Sequence, residues 1–227
     1  MIRLKWLEIF TDYTTANLAQ LLSEHSFSES SLFGFELIDV ARRKIVARFV
    51  QQETITETSQ NPFGEHVATT YVRYTRFDFR ILKNSSRHVL CIHSPPRSLR
   101  NFLSALNRAL NGDCAVGELN VDICEFIKLA RSNLGSKGVK VIQAVYFDVP
   151  LTNESTCKVQ IASERDAISD FEAKLVSGRL ERATIQVGTP HASTVQFDIG
   201  RRGTLRFDES QWEDLSALDE LVLSAGL

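Results

Sequence analysis

The sequence predicts an α+β fold: mainly antiparallel β-sheet, with amphipathic helices packed on one face. Three observations point there. Segments with strand-like alternation follow one another across short polar turns, which is the signature of hairpins. The helical segments fall among hairpin strands, two of them in succession, so the strict strand–helix alternation of a parallel sheet is missing. The composition is that of an ordinary folded chain, with 43% hydrophobic, 24% charged and 9% aromatic residues among 227. That balance excludes collagen-like, low-complexity and disulfide-framework proteins.

Residues 3–10 read as a strand, and Thr14 or Thr15 then caps a short helix carrying Leu18, Leu21 and Leu22 on one side. A serine-rich connector, 26–31, leads to strands at 33–40 and 45–51, with Ala41-Arg42-Arg43-Lys44 at their turn. The polar stretch 53–65, with Asn61-Pro62 and Gly64, reads as a loop or hairpin tip. Strands at 66–82 and 87–93 form the most regular hairpin. Alternation places Tyr71, Arg73, Thr75, Phe77, Phe79 and Ile81 on a mostly apolar face, and Tyr74, Arg76, Asp78 and Arg80 on a polar one.

Helices follow at 97–110, with Leu99, Phe102, Leu103 and Leu106 in phase, and at 120–133, with Ile123, Phe126, Ile127 and Ala130 inward. Ser136-Lys137-Gly138 marks a boundary between an N-terminal α+β unit, 1–136, and a C-terminal one, 137–227. The second unit reads as strands at 139–149 and 156–162, and a helix opening at Ser163 and Glu164. Strands at 180–187, 193–199 and 204–207 follow, then a terminal helix at 212–224.

Charge is unevenly distributed. The net charge is −2, yet residues 30–110 hold 12 basic and 6 acidic side chains. A basic block in an acidic remainder suits an anionic partner, although such runs also serve as solvated faces. Arginine forks fit phosphate oxygens and an aromatic ring stacks on a base, so the face of Tyr74, Arg76 and Arg80 is the first candidate surface. Arg42, Arg43, Lys44, Arg48, Arg97 and Arg100 extend it if they share that side. The plain alternative is a solvated strand face on which Asp78 neutralises a neighbour. Arg73, on the apolar face, needs either a buried partner or an open end to that face.

Gly200-Arg201-Arg202-Gly203 joins two strands, so Arg201 and Arg202 reach a hairpin tip. The glycines are equally explained by turn geometry.

Signals for catalysis are thin. His191-Ala192-Ser193 matches one half of the paired H-x-[ST] pattern of histidine phosphoesterases, and no second copy exists. Cys91 and His93 share a strand side, but two ligands are too few for zinc. Glu172-Ala173-Lys174 has nuclease-like spacing but falls in a helical segment, while Asp78 and Asp148 lack a partner acid. Phosphate-cradling glycine loops and the nucleophile elbow are absent.

The reading is therefore a non-catalytic macromolecule-binding protein with no cofactor and no metal. It engages nucleic acid through its phosphate backbone. The alternatives are an assembly subunit whose basic block meets an acidic protein surface, as a homo- or hetero-oligomer, and a metal-dependent nuclease or histidine phosphoesterase. No stretch is long and apolar enough for a membrane span, and the start of the chain lacks a secretory h-region. With cysteines at 91, 114, 124 and 157 and no C-x-x-C pair, a cytoplasmic setting with reduced thiols is expected.

Overall fold

A computed structural model describes residues 1–28, 30–60, 62–64, 66–84, 87–133, 138–174, 177–188, 194–208 and 215–226. These contain eleven strands and five helices. Every strand pairing with an assigned register is antiparallel. The α+β expectation holds. The chain divides into two compact units, Ile9–Val116 and Met1–Glu8 with Gly117–Leu227. Among the described residues no helix is long and apolar enough to cross a membrane.

In Ile9–Val116 the strand order is β2 (Phe33–Ala41), β3 (Lys44–Gln60), β4 (His66–Asn84), β5 (Arg87–His93). Helix α1 (Thr15–Glu24) begins as expected, with Thr14 Oγ1 accepting from the Asn17 N–H. Helix α2 (Arg100–Ala109) lays Phe102 on the sheet, its ring 5.2 Å from each of Phe49, Phe77 and Phe79. Phe35, Phe49, Phe79 and Phe102 are all essentially inaccessible, so one face of this sheet is a phenylalanine core.

The polar stretch after Gln52 is not a loop. β3 runs on to Gln60 because β4 pairs with it residue for residue, from Lys44↔Leu82 out to Gln60↔His66. Most of its outer half is exposed, as is β4 from His66 to Tyr74, so both faces of this ribbon meet solvent. That resolves Arg73: its face is open there, and its guanidinium meets Glu53 at 2.6 Å.

In the other unit the order is β1 (Ile2–Phe10), β11 (Thr204–Phe207), β10 (Thr194–Gly200), β9 (Arg179–Gly188), β7 (Lys140–Pro150), β8 (Thr156–Ala162). Registers put Leu4, Leu205, Ile199, Ala183 and Ala144 in one row, all buried. Helix α3 (Ile123–Asn133) covers that face, with Phe126 edge-on to Phe197 at 6.1 Å. Helix α5 (Leu215–Ala225) packs against α3, and its buried Asp219 accepts from Trp6 Nε1 at 3.3 Å.

Helix α4 (Ala167–Glu172) starts later than expected. Asp166, not Ser163, caps it by accepting from the Ser169 N–H at 3.0 Å. Phe171 then stacks on Tyr146, centroids 3.6 Å apart. A short strand, β6 (Ala115–Glu118), carries no local signal in the sequence.

Candidate anion-binding site

The site grows from the β10–β11 turn. Gly200 pairs with Thr204, which leaves Arg201-Arg202-Gly203 as a three-residue loop. Such loops place their last residue in the left-handed region. Gly203 does so, with φ of 62°, and a Cβ there would sit 2.7 Å from the Trp6 carbonyl oxygen. The turn is not a free finger. The Arg201 N–H donates to the Glu181 carbonyl at 2.9 Å, and the Arg201 carbonyl accepts from the Val121 N–H at 2.7 Å. The Gly203 carbonyl accepts from the Trp6 N–H at 2.8 Å, and the Arg202 carbonyl from Lys5 Nζ at 2.6 Å. Three consecutive carbonyls are thus tied down, and the turn is held rigid beside β1.

Strand register supplies the rest. Lys5 pairs with Thr204, Thr204 with Gly200, Gly200 with Arg182 and Arg182 with Val145. These residues form a row on the sheet face opposite the α3 helix. Around that row lies a cavity of about 330 Å³ whose wall carries Lys5, Lys158, Arg182, Arg201 and Arg202 against one acid, Glu181. Val145 and Phe147 supply apolar surface in the same wall.

The charges are only partly compensated. Arg202 Nε lies 3.8 Å from Glu181 and 3.9 Å from Glu118, both long contacts of a largely exposed side chain. Pairs of that kind contribute about 0–1 kcal/mol. Arg182 and Arg201 have no acid partner among the described residues. Burial pushes the Lys5 ammonium below the ordinary lysine value; Glu118 opposes this and Arg202 adds to it. A cluster of like charges held in place by backbone tethers is a site that an anion relieves.

The 30–110 cations are divided by the sheet they sit on. Arg48 makes a two-pronged contact with Asp78, at 2.6 and 3.2 Å, and lies 3.8 Å from Glu36. Arg80 donates to Cys91 Sγ at 3.3 Å. Arg76 is exposed on the same face without an ion pair among the described residues, and Tyr74 is 59% exposed with its ring edge-on to Phe27. Arg42 and Arg43 are exposed at the β2–β3 turn, where Arg43 Nε donates to the Lys83 carbonyl, and Lys44 is half-buried. Arg100 opens α2, whose Phe102 packs the other face of the sheet, and exposed Arg97 lies three residues before it. The helix layer therefore belongs to the opposite side from Arg76 and Arg80.

Of the residues singled out from sequence, the structure brings Arg201 and Arg202 into a shared cavity. Their companions Lys5, Lys158 and Arg182 carried no motif. Alternation alone puts Lys5 and Arg182 on the polar sides of their strands, and only the register with Thr204 and Gly200 brings them together.

The catalytic signals do not converge. His191 lies outside the described residues. Cys91 is buried and His93 half-buried, and no group of three potential metal ligands occurs among the described residues. Asp78 and Asp148 each pair with an arginine, Arg48 and Arg179 respectively. Glu172 ends helix α4 and does not lie on a strand.

No protein-family model matches the sequence, and comparison with curated proteins returns no match. Solved structures do match. One is the crystal structure of DynU16, a protein in the dynemicin biosynthetic locus, at 10% identity and a TM-score of 0.24 over 97% of this chain and 94% of that one.

Proposed function

We propose that this chain is a non-catalytic nucleic-acid-binding protein that holds the phosphate backbone through a basic sheet and loop surface. The observation that carries this reading is the cavity at the β10–β11 turn, with five cations against one carboxylate. Arginine forks and lysine ammonium groups are the side chains that hold phosphate, and here tethered backbone positions them in advance. Arg76 and Tyr74, exposed on β4, supply a further cation and ring of the type such surfaces use. All four cysteines are free, which suits a reducing, cytoplasmic setting.

The test is equilibrium binding of a fluorescein-labelled oligonucleotide, read by anisotropy at low salt. Arg182→Glu combined with Arg201→Glu is expected to weaken binding by about tenfold or more, because two phosphate contacts become repulsive. No binding by the wild-type protein, or equal binding by the double variant, overturns the proposal.

One observation favours a second reading, an assembly subunit. The outer β3–β4 ribbon exposes Val67, Tyr71, Val72 and Tyr74 on a two-stranded arm. A two-stranded ribbon is marginal alone, and tyrosines suit a protein interface. Light scattering separates the readings: a stable oligomer that ignores oligonucleotides favours assembly.

A further inference from the structure

We infer that the cavity at the β10–β11 turn takes single-stranded rather than duplex nucleic acid, with a nucleobase stacked on Phe147 while the surrounding cations hold the flanking phosphates. This rests on the nucleic-acid reading above and specifies what the same site accepts.

The argument starts from Phe147. It is half-buried in the cavity wall next to Val145, which is only 3% exposed although it points to the polar side of the sheet. An apolar floor under a ring of cations has no use in binding phosphate alone. The Phe147 ring is also capped: Lys158 Nζ sits over it, 5.3 Å from the centroid. A cation resting on a ring is attracted to the same π surface that receives a nucleobase. Lys158 is exposed and its stem is flexible, so its ammonium is free to leave the ring for a phosphate as a base arrives.

Size and geometry then choose between strands. At about 330 Å³ the cavity is at the small end of those that receive a single small molecule. One nucleotide suits it. A double helix keeps its base faces stacked internally and offers only phosphates and groove edges, so it cannot use Phe147. Single strands present their base faces, and aromatic platforms flanked by cations are how proteins hold them without reading sequence. Arg182 on β9 and Arg201 at the turn, without acid partners among the described residues, line the cavity on one side of β7, and Lys158 on β8 lines it on the other, so cations are available to the phosphates that flank the base.

The test compares a fluorescein-labelled oligo-dT of about 20 nucleotides with a duplex of the same length. Wild-type protein, Phe147→Ala, Phe147→Leu and Arg182→Glu are each titrated at about 50 mM salt. Phe147→Leu keeps apolar volume and removes the π face, so it serves if the alanine variant folds poorly.

The expected result has two parts. The single strand binds at least about fivefold tighter than the duplex, and both Phe147 variants lose roughly five- to hundredfold on the single strand alone. Arg182→Glu weakens both probes. If both probes bind equally, lose affinity in Arg182→Glu and ignore the Phe147 variants, the single-strand inference is overturned and the nucleic-acid reading stands. If neither probe binds wild-type protein, or Arg182→Glu changes nothing, both fall together.

Discussion

Replacing Gly203 by alanine probes both the turn and the site it organises. At φ of 62°, an L residue costs about 1–2 kcal/mol relative to glycine. The added Cβ also arrives 2.7 Å from the Trp6 carbonyl oxygen and 3.1 Å from that of Leu119. Both are backbone atoms in or beside paired strands, so the turn must move instead. Moving it stretches the 2.8 Å bond from the Trp6 N–H to the Gly203 carbonyl, a loss of about 1 kcal/mol. The expected destabilisation is therefore about 2–3 kcal/mol, a large share of the roughly 5–15 kcal/mol typical of a folded domain. Gly200→Ala is the matched control. Its Cβ meets Thr204 Oγ1 at 2.5 Å, the end of a side chain that rotates away, and its backbone is not in the left-handed region. That variant is expected to lose less than about 1 kcal/mol. Urea unfolding followed by tryptophan fluorescence measures both. A Gly203→Ala protein within about 0.5 kcal/mol of wild type, or a Gly200→Ala protein that loses more, would refute the reasoning.

Two further predictions concern the Ile9–Val116 unit. Phe102→Ala removes the ring that touches Phe49, Phe77 and Phe79 at a fully buried position, and is expected to cost about 3–5 kcal/mol in urea unfolding. His88 is 3% exposed, and neither ring nitrogen has a hydrogen-bond partner among the described residues. Burial, with Lys83 nearby, holds its pKa below the ordinary 6.5. The unfolded chain therefore binds a proton that the folded chain resists, so the contribution is full above about pH 6.5 and is lost as pH falls below it. His88→Leu is expected to flatten stability between about pH 7.5 and 5.5; a variant as acid-sensitive as wild type would contradict this.

Much of the fold was legible because local alternation and amphipathic spacing carry it. Phe77, Phe79 and Ile81 face the core as their alternation demands, and α3 buries Ile123, Phe126, Ile127 and Ala130 as its spacing demands. What failed was information held in pairing. Residues 53–60 look like loop because their threonines and glutamates, with Ser59 and Gln60, bury little, and they are strand only because β4 runs beside them throughout. For Arg73, alternation gave the face but left open whether that face holds a buried partner or opens to water, and the exposed ribbon takes the second course. The charge count for 30–110 had the same blindness, since Arg48 finds Asp78 across a strand pair and Arg76 and Arg100 lie on opposite sides of a sheet. Conversely, the Lys5–Arg182 row spans the chain from β1 to β9, a juxtaposition that no window of sequence contains.

The most direct test of the central claim is the salt dependence of oligonucleotide affinity. Each phosphate contact contributes about 0.7 to the slope of log affinity against log salt on a single strand. Wild-type protein should show a steep negative slope, and Arg182→Ala with Arg201→Ala should lower its magnitude by about 1–1.5. Identical slopes for the two proteins would mean that these arginines touch no phosphate, and the proposed site would be wrong.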